Sequence, residues 1–233
     1  MIRAQRRLGA ILTLAVAAFG PLQAQATAAG DRWETSIQRF EAADRESPPM
    51  PGAVLFVGSS SIVRWATLAE DMPGIRTLNR GFGGSNLSDV LRYADRIILP
   101  YRASHVLVYA GDNDLARGRT AEEVFGDFRA LVQLIHAAQP EVPVTWISIK
   151  PSPSRWDVAA AMQRANAMVK ELVDGDPHRL RYIDVWEPML GPDGMPRVEL
   201  FVEDMLHMTP AGYAVWREAV APVVAEVLEH GGH

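Results

Sequence analysis

The chain has 233 residues, is 48% apolar and 22% charged, carries a net charge of −5 and contains no cysteine. That composition belongs to a soluble globular protein of one ordinary domain, and no apolar run reaches the ~18 residues of a membrane-spanning helix. The missing cysteines exclude disulfides, thiolate metal ligands and a thiol nucleophile. The acidic balance excludes generic nucleic-acid binding, which needs a cationic surface.

The first element is a three-part leader. Arg3, Arg6 and Arg7 precede an uncharged apolar stretch, residues 8–19, and Ala24-Gln25-Ala26 offers small side chains where a signal peptidase reads. Residues 1–26 are therefore expected to be a secretory signal peptide, leaving residues 27–233 as a single periplasmic or secreted domain. Its removal takes three arginines and no acid, moving the net charge from −5 to −8.

Beyond it, short apolar runs alternate with helical patterns. The runs are 54–57, 75–78, 106–109, 142–149 and 180–185, each bounded by glycine, proline or polar residues as buried parallel strands are. Between them, Leu87, Val90, Leu91, Ala94, Ile97 and Ile98 recur at helical spacing. Val124, Phe128, Leu131, Val132 and Ile135 do the same behind Thr120-Ala-Glu-Glu123, a capping-box sequence. A third stripe, Val158, Met162, Ala165, Val169 and Leu172, stops at Gly175 and Pro177. The last helix is expected to start at Thr209-Pro210, an N-cap followed by proline at the first helical position. About five strands alternating with helices predict a three-layer α/β/α sandwich on a mostly parallel sheet. Right-handed crossovers then gather all the strand-to-helix turns on one edge, where ligands of open parallel sheets bind.

What the strands deliver to that edge is the chemistry of acyl transfer. Strand one delivers Gly58-Ser59-Ser60-Ser61, strand two Gly83-Gly84-Ser85, strand three Gly111-Asp112-Asn113-Asp114, and the segment before the final helix Asp204-Met205-Leu206-His207. A neutral serine needs a base as it attacks a carbonyl, histidine supplies one near neutral pH, and a carboxylate on the far ring nitrogen fixes its tautomer. Of the six histidines only His207 has an acid three residues before it, Asp204. The oxyanion of the intermediate needs donors already in place, and the N–H of Gly84, the amide of Asn113 and the N–H of Ser60 are candidates. Strand alternation leaves Ser59, Ser60 and Ser61 as alternatives for the nucleophile.

In chain order these segments resemble the four signature blocks of the SGNH hydrolases, also called the GDSL esterase/lipase family. "FVGSSSIVRW" is similar to the first block, "NRGFGGS" to the second, "YAGDND" to the third and "DMLH" to the last. The resemblance implies a flavodoxin-like fold and a serine esterase without metal or cofactor. It implies Ser60 as nucleophile, from its spacing to Trp65, with Gly84 and Asn113 in the oxyanion hole and Asp204 and His207 completing the triad. Ser59 stands where most relatives carry aspartate; it and Ser61 are read as turn or capping residues. The expected substrate is a small-molecule or glycan ester, with a short acyl chain because no lid insertion is visible. The rival readings are a glycan O-acyltransferase with the same triad and a catalytically dead binding module.

Other signals fall away. Ile62 stands where a Gly-x-Ser-x-Gly elbow needs its second glycine, and no dinucleotide fingerprint, phosphate loop or His-Glu-x-x-His occurs. Lys150 to Trp156 leaves strand four on the reactive edge and is read as a structural loop, with Lys150 or Arg155 as candidates to meet an anionic group. Asp112 and Asp114 are expected to face solvent or cap a turn.

Overall fold

The computed structural model describes residues 32–230; the expected leader, residues 1–26, lies outside them. Along the chain run α1 (Glu34–Glu46), β1 (Val54–Gly58), α2 (Ser60–Val63), α3 (Leu68–Asp71) and β2 (Thr77–Gly81). They are followed by α4 (Leu87–Arg92), α5 (Ala94–Ile97), β3 (His105–Tyr109), α6 (Asp112–Ala116) and α7 (Ala121–Ala138). Last come β4 (Val144–Ile147), α8 (Ala159–Asp174), β5 (Leu180–Ile183) and α9 (Pro210–His230).

The five strands form one parallel sheet in the order β2-β1-β3-β4-β5. Strand alternation sorts their side chains into two cores. Leu55, Val57, Val106, Val108, Val144 and Trp146 point into the layer of α4, α5, α7 and α8. Val54, Phe56, Leu107, Tyr109, Ile147 and Ile183 point the other way, onto Ile62 of α2 and Trp216, Val220 and Val224 of α9. Both faces are covered, so β1 and β3 are buried at every position, which is why they read as unbroken apolar runs. The expected α/β/α sandwich is what forms. Strand order reverses between β1 and β3, and Gly58 pairs with Tyr109 there, so the crevice of the sheet opens beside these two residues.

The helix signals translate directly. Thr120 and Glu123 close the capping box of α7, with Glu123 N–H donating to Thr120 Oγ1 at 3.2 Å and Thr120 N–H to Glu123 Oε2 at 2.8 Å. Thr209 Oγ1 accepts from the N–H of Gly212 at 3.3 Å at the start of α9. Three elements differ from expectation. Strand β2 lies further along than 75–78 because it is an edge strand and tolerates polar side chains. Its Asn79 donates to the carbonyl of Ile62 at 2.7 Å, and its Arg80 is sandwiched between Phe40 and Tyr101 and paired with Asp44. The stripe from Leu87 to Ile98 breaks into two short helices at Tyr93, whose ring packs edge-on against Phe82 at 6.1 Å. Helix α1 is an element that the sequence reading does not include: only Ile37 and Phe40 of it face the core, and polar contacts tie it down, Glu34 and Glu41 to Arg96 at 2.8 and 2.6 Å, and Asp44 to Tyr101 at 2.6 Å.

Candidate active site

At the carboxyl end of β1 the chain turns through Gly58, whose φ of +137° and approach to β3 admit no side chain: a Cβ there would meet the Tyr109 carbonyl oxygen at 1.8 Å. Ser60 then opens α2. Of the three serines, Ser59 is 0% and Ser61 2% exposed, whereas Ser60 is half-buried and accessible. Ser61 is held inward as its carbonyl accepts from Tyr213 at 2.9 Å. Ser59 occupies the N-cap position but makes no cap hydrogen bond, and its buried Oγ has no partner among the described residues, so of the two readings, turn or cap, its side chain fits only the turn.

His207 reaches Ser60 from 147 residues away in sequence, its Nε2 lying 2.9 Å from Ser60 Oγ. Its Nδ1 lies 2.5 Å from Asp204 Oδ2. A carboxylate only accepts, so Nδ1 carries the ring proton and Nε2 is left to accept from the serine hydroxyl. The other carboxylate oxygen, Asp204 Oδ1, accepts from the backbone N–H of Leu206 at 2.9 Å and of His207 at 2.8 Å. The turn that permits this passes through Met205 in the left-handed region, φ +54°. Desolvation alone would raise the Asp204 carboxyl, but the hydrogen bonds from His207 and from these backbone groups outweigh it and hold it well below the usual carboxylate range. Val202 N–H to His207 carbonyl, 2.8 Å, and Ser154 N–H to Met205 carbonyl, 3.1 Å, fasten the loop at both sides.

Two further segments carry the expected oxyanion donors, and one of them is tied to the end of β1 by Ser85 Oγ, which donates to the Gly58 carbonyl at 3.3 Å. Gly84 lies in the β2–α4 turn with φ +75°, and its N–H has no acceptor among the described residues. The N–H of Ser60, at the first helical position of α2, belongs to the donors a helix start leaves unused. Asn113, 5% exposed, donates from Nδ2 to the Ser85 carbonyl at 2.9 Å and accepts on Oδ1 from Arg155 at 2.8 Å. A carbonyl on one end and a guanidinium on the other admit a single amide orientation and leave one Nδ2 hydrogen for a ligand. The β2–α4 turn is gripped from below by α6. Asp114 accepts from Leu87 N–H at 3.0 Å, and Arg117 donates to the Gly84 carbonyl at 3.0 Å and to Asn86 Oδ1.

Ser60, His207 and Asp204 are thus joined in one hydrogen-bonded chain, and the turn that carries Gly84 is cross-linked to the helix that carries Asn113 through Ser85 and Arg117. The two aspartates of the third block do not face solvent, Asp112 being 2% and Asp114 0% exposed, and both accept backbone N–H groups. Burial pushes Asp114 up to about 6 against its bonds to Leu87 and Arg119. Lys150 departs from expectation: at 1% exposure it meets no solvent anion but lies 3.5 Å from Asp112. Asp112 follows the end of β3 and Lys150 the end of β4, two inner strands, but no local pattern distinguishes such a charge from a solvated one.

The family model for the GDSL-like lipase/acylhydrolase family matches residues 56–215. Over 214 residues the chain is 28% identical to platelet-activating factor acetylhydrolase IB subunit alpha1 of Pongo abelii, covering 89% of each chain. It is equally 28% identical over 207 residues to the human alpha2 subunit, covering 85% of this chain and 86% of that one. A GDSL-like lipase from Bacteroides thetaiotaomicron superposes with a TM-score of 0.70 at 17% identity, over 82% of this chain and 97% of the other. Its fold is thereby shared. The family match spans the segments that carry Ser60, Gly84, Asn113, Asp204 and His207, and the chain belongs to the GDSL-like lipases/acylhydrolases, hydrolases of ester bonds.

Proposed function

We propose that the protein is an exported serine esterase that cleaves short-chain carboxylic esters through an acyl-enzyme on Ser60. The observation that carries this reading is the 2.9 Å contact of Ser60 Oγ with His207 Nε2, backed by Asp204. Ser60 Oγ attacks the ester carbonyl while its proton passes to Nε2; Asp204 holds Nδ1–H and stabilises the imidazolium. The developing oxyanion accepts from the N–H groups of Ser60 and Gly84 and from Asn113 Nδ2. His207 then protonates the departing alcohol and later takes a proton from the water that releases the acid.

A preference for small acyl groups is supported by the acetylhydrolase names of the relatives. It also fits the short connections at this edge: only Ser59 separates β1 from α2, and residues 82–86 and 110–111 join the next two strands to their helices. Export is supported by the leader-like residues 1–26, and no helix among the described residues is long and apolar enough to cross a membrane. A fluorophosphonate probe tests the nucleophile. The parent protein is expected to be labelled on Ser60, and Ser60→Ala to lose both label and turnover; an adduct on Ser59 or Ser61 overturns the assignment. A p-nitrophenyl ester series is expected to give its highest kcat/KM at acetate or butyrate, and a maximum at octanoate or longer overturns the chain-length reading.

A further inference from the structure

Around Asn113 lies a set of charges, Asp112 and Lys150 buried and Arg155 partly so, that makes no hydrogen bond or ion pair with Ser60 or His207 among the described residues. Asp112 opens α6 and holds the backbone N–H of Asn113 on Oδ1 at 2.9 Å. Its other oxygen, Oδ2, lies 3.5 Å from Lys150 Nζ, 3.4 Å from Arg155 Nη1 and 3.3 Å from the Tyr109 hydroxyl. Burial alone would raise Asp112, but Lys150 and Arg155 outweigh it and keep the carboxyl below its usual value. Arg155 spends its remaining reach on the side chain of Asn113, with Nη2 at 2.8 Å from Oδ1. Its Nη1 is turned to Asp112 as an ion pair without hydrogen-bond geometry, so Arg155 bridges the carboxylate of Asp112 and the amide of Asn113.

The Arg155 segment is also built into the site from two sides. Ser154 N–H donates to the Met205 carbonyl in the His207 loop at 3.1 Å. Next along, Trp156 stacks on Trp186 at 5.8 Å. Arg155 is therefore held while its guanidinium faces the acceptor end of an amide whose donor end has one hydrogen unspent.

We propose that Arg155 is a positioning residue of the oxyanion hole: it locks the Asn113 amide in plane and polarises it, so that a partly buried positive charge acts on the reacting oxygen through Asn113. An amide whose oxygen accepts from a cation is a stronger donor at its nitrogen. Pre-oriented donors of this kind favour the transition state over the bound ester and so raise kcat rather than lower KM. The inference rests on the reading of Asn113 as an oxyanion donor.

A double-mutant cycle on a short-chain p-nitrophenyl ester tests it, using Arg155→Met, Arg155→Lys, Asn113→Ala and the doubles. Asn113→Ala is expected to lower kcat by about 10²–10³-fold. Arg155→Met is expected to lower kcat by about 10–100-fold with KM within about threefold, and to have no further effect once Asn113 is alanine. Arg155→Lys keeps a cation but not the fork that spans Asn113 and Asp112, so its kcat falls between the two. Arg155→Lys carries the same cycle should the methionine variant not fold. Equal losses in both backgrounds, or an unchanged kcat in the arginine variants beside a crippled Asn113→Ala, overturn the role of Arg155 while leaving the esterase reading intact. An unchanged kcat in Asn113→Ala overturns the oxyanion reading itself, and the inference with it.

Discussion

Replacing Asp204 with asparagine separates what that side chain does for the fold from what it does for the chemistry. One of its oxygens accepts from the backbone N–H of Leu206 and His207 at 2.9 and 2.8 Å, and an asparagine Oδ1 keeps both bonds. The other oxygen, 2.5 Å from His207 Nδ1, becomes an NH₂ group. Two donors cannot face each other, so the ring must carry its proton on Nε2 and present a bare Nδ1 to the amide. In that tautomer Nε2 can no longer accept from Ser60 Oγ, the contact now at 2.9 Å. By analogy with serine triads, kcat should fall by about 10⁴, or about 5.5 kcal/mol of transition-state stabilisation. Turnover of p-nitrophenyl acetate under saturating ester measures the loss, and thermal melting of the same sample checks that the Val202–His207 loop survives. Asp204→Ala, which gives up the two backbone bonds as well, should melt earlier than Asp204→Asn. If Asp204→Asn retains more than about a tenth of the parental kcat, the tautomer argument is wrong.

Two stability predictions follow from the scaffold. Gly58→Ala places a Cβ 1.8 Å from the Tyr109 carbonyl oxygen and 2.7 Å from its carbonyl carbon at a φ of +137°. It should cost more than about 3 kcal/mol in urea denaturation, and a loss under about 1 kcal/mol would contradict the close approach of β1 to β3. Asp114, pushed up to about 6 by burial, holds its proton more tightly folded than unfolded, where carboxyls titrate near ~3.9. Its contribution is therefore fully present below about pH 4 and is lost as pH rises through about 6, by on the order of 3 kcal/mol. Asp114→Asn removes this segment of the curve, so the parent-minus-variant difference in unfolding free energy should fall between pH 4 and 7 and then level off. A difference that is flat, or that rises across this range, refutes the direction of the shift.

The layout of this protein was legible because its strands are short, buried on both faces and separated by amphipathic helices. Those conditions make hydrophobic period a faithful record of structure, and the sandwich follows from it. Capping residues act locally, so Thr120 and Thr209 were readable as well. The edge strand β2 and helix α1 were not, because partners distant in sequence stabilise them. Arg80 is buried only because Asp44, Phe40 and Tyr101 arrive around it. Asp112, Asp114 and Lys150 likewise read as surface residues, since nothing nearby in sequence marks a charge as paired inside the core.

The candidate site divides along the same line. The sequence by itself determined which residue types reach the carboxyl edge and in what order, since a parallel sheet with right-handed crossovers sends every strand end to one side. Only the tertiary structure decided which of three adjacent serines is reachable, Ser60 being the one left accessible between two buried neighbours. It alone decided how the Asn113 amide is turned, because that depends on a carbonyl 28 residues before it and a guanidinium 42 residues after it. Orientation at such a site is set by contacts across the fold, and these are written in no local pattern of the chain.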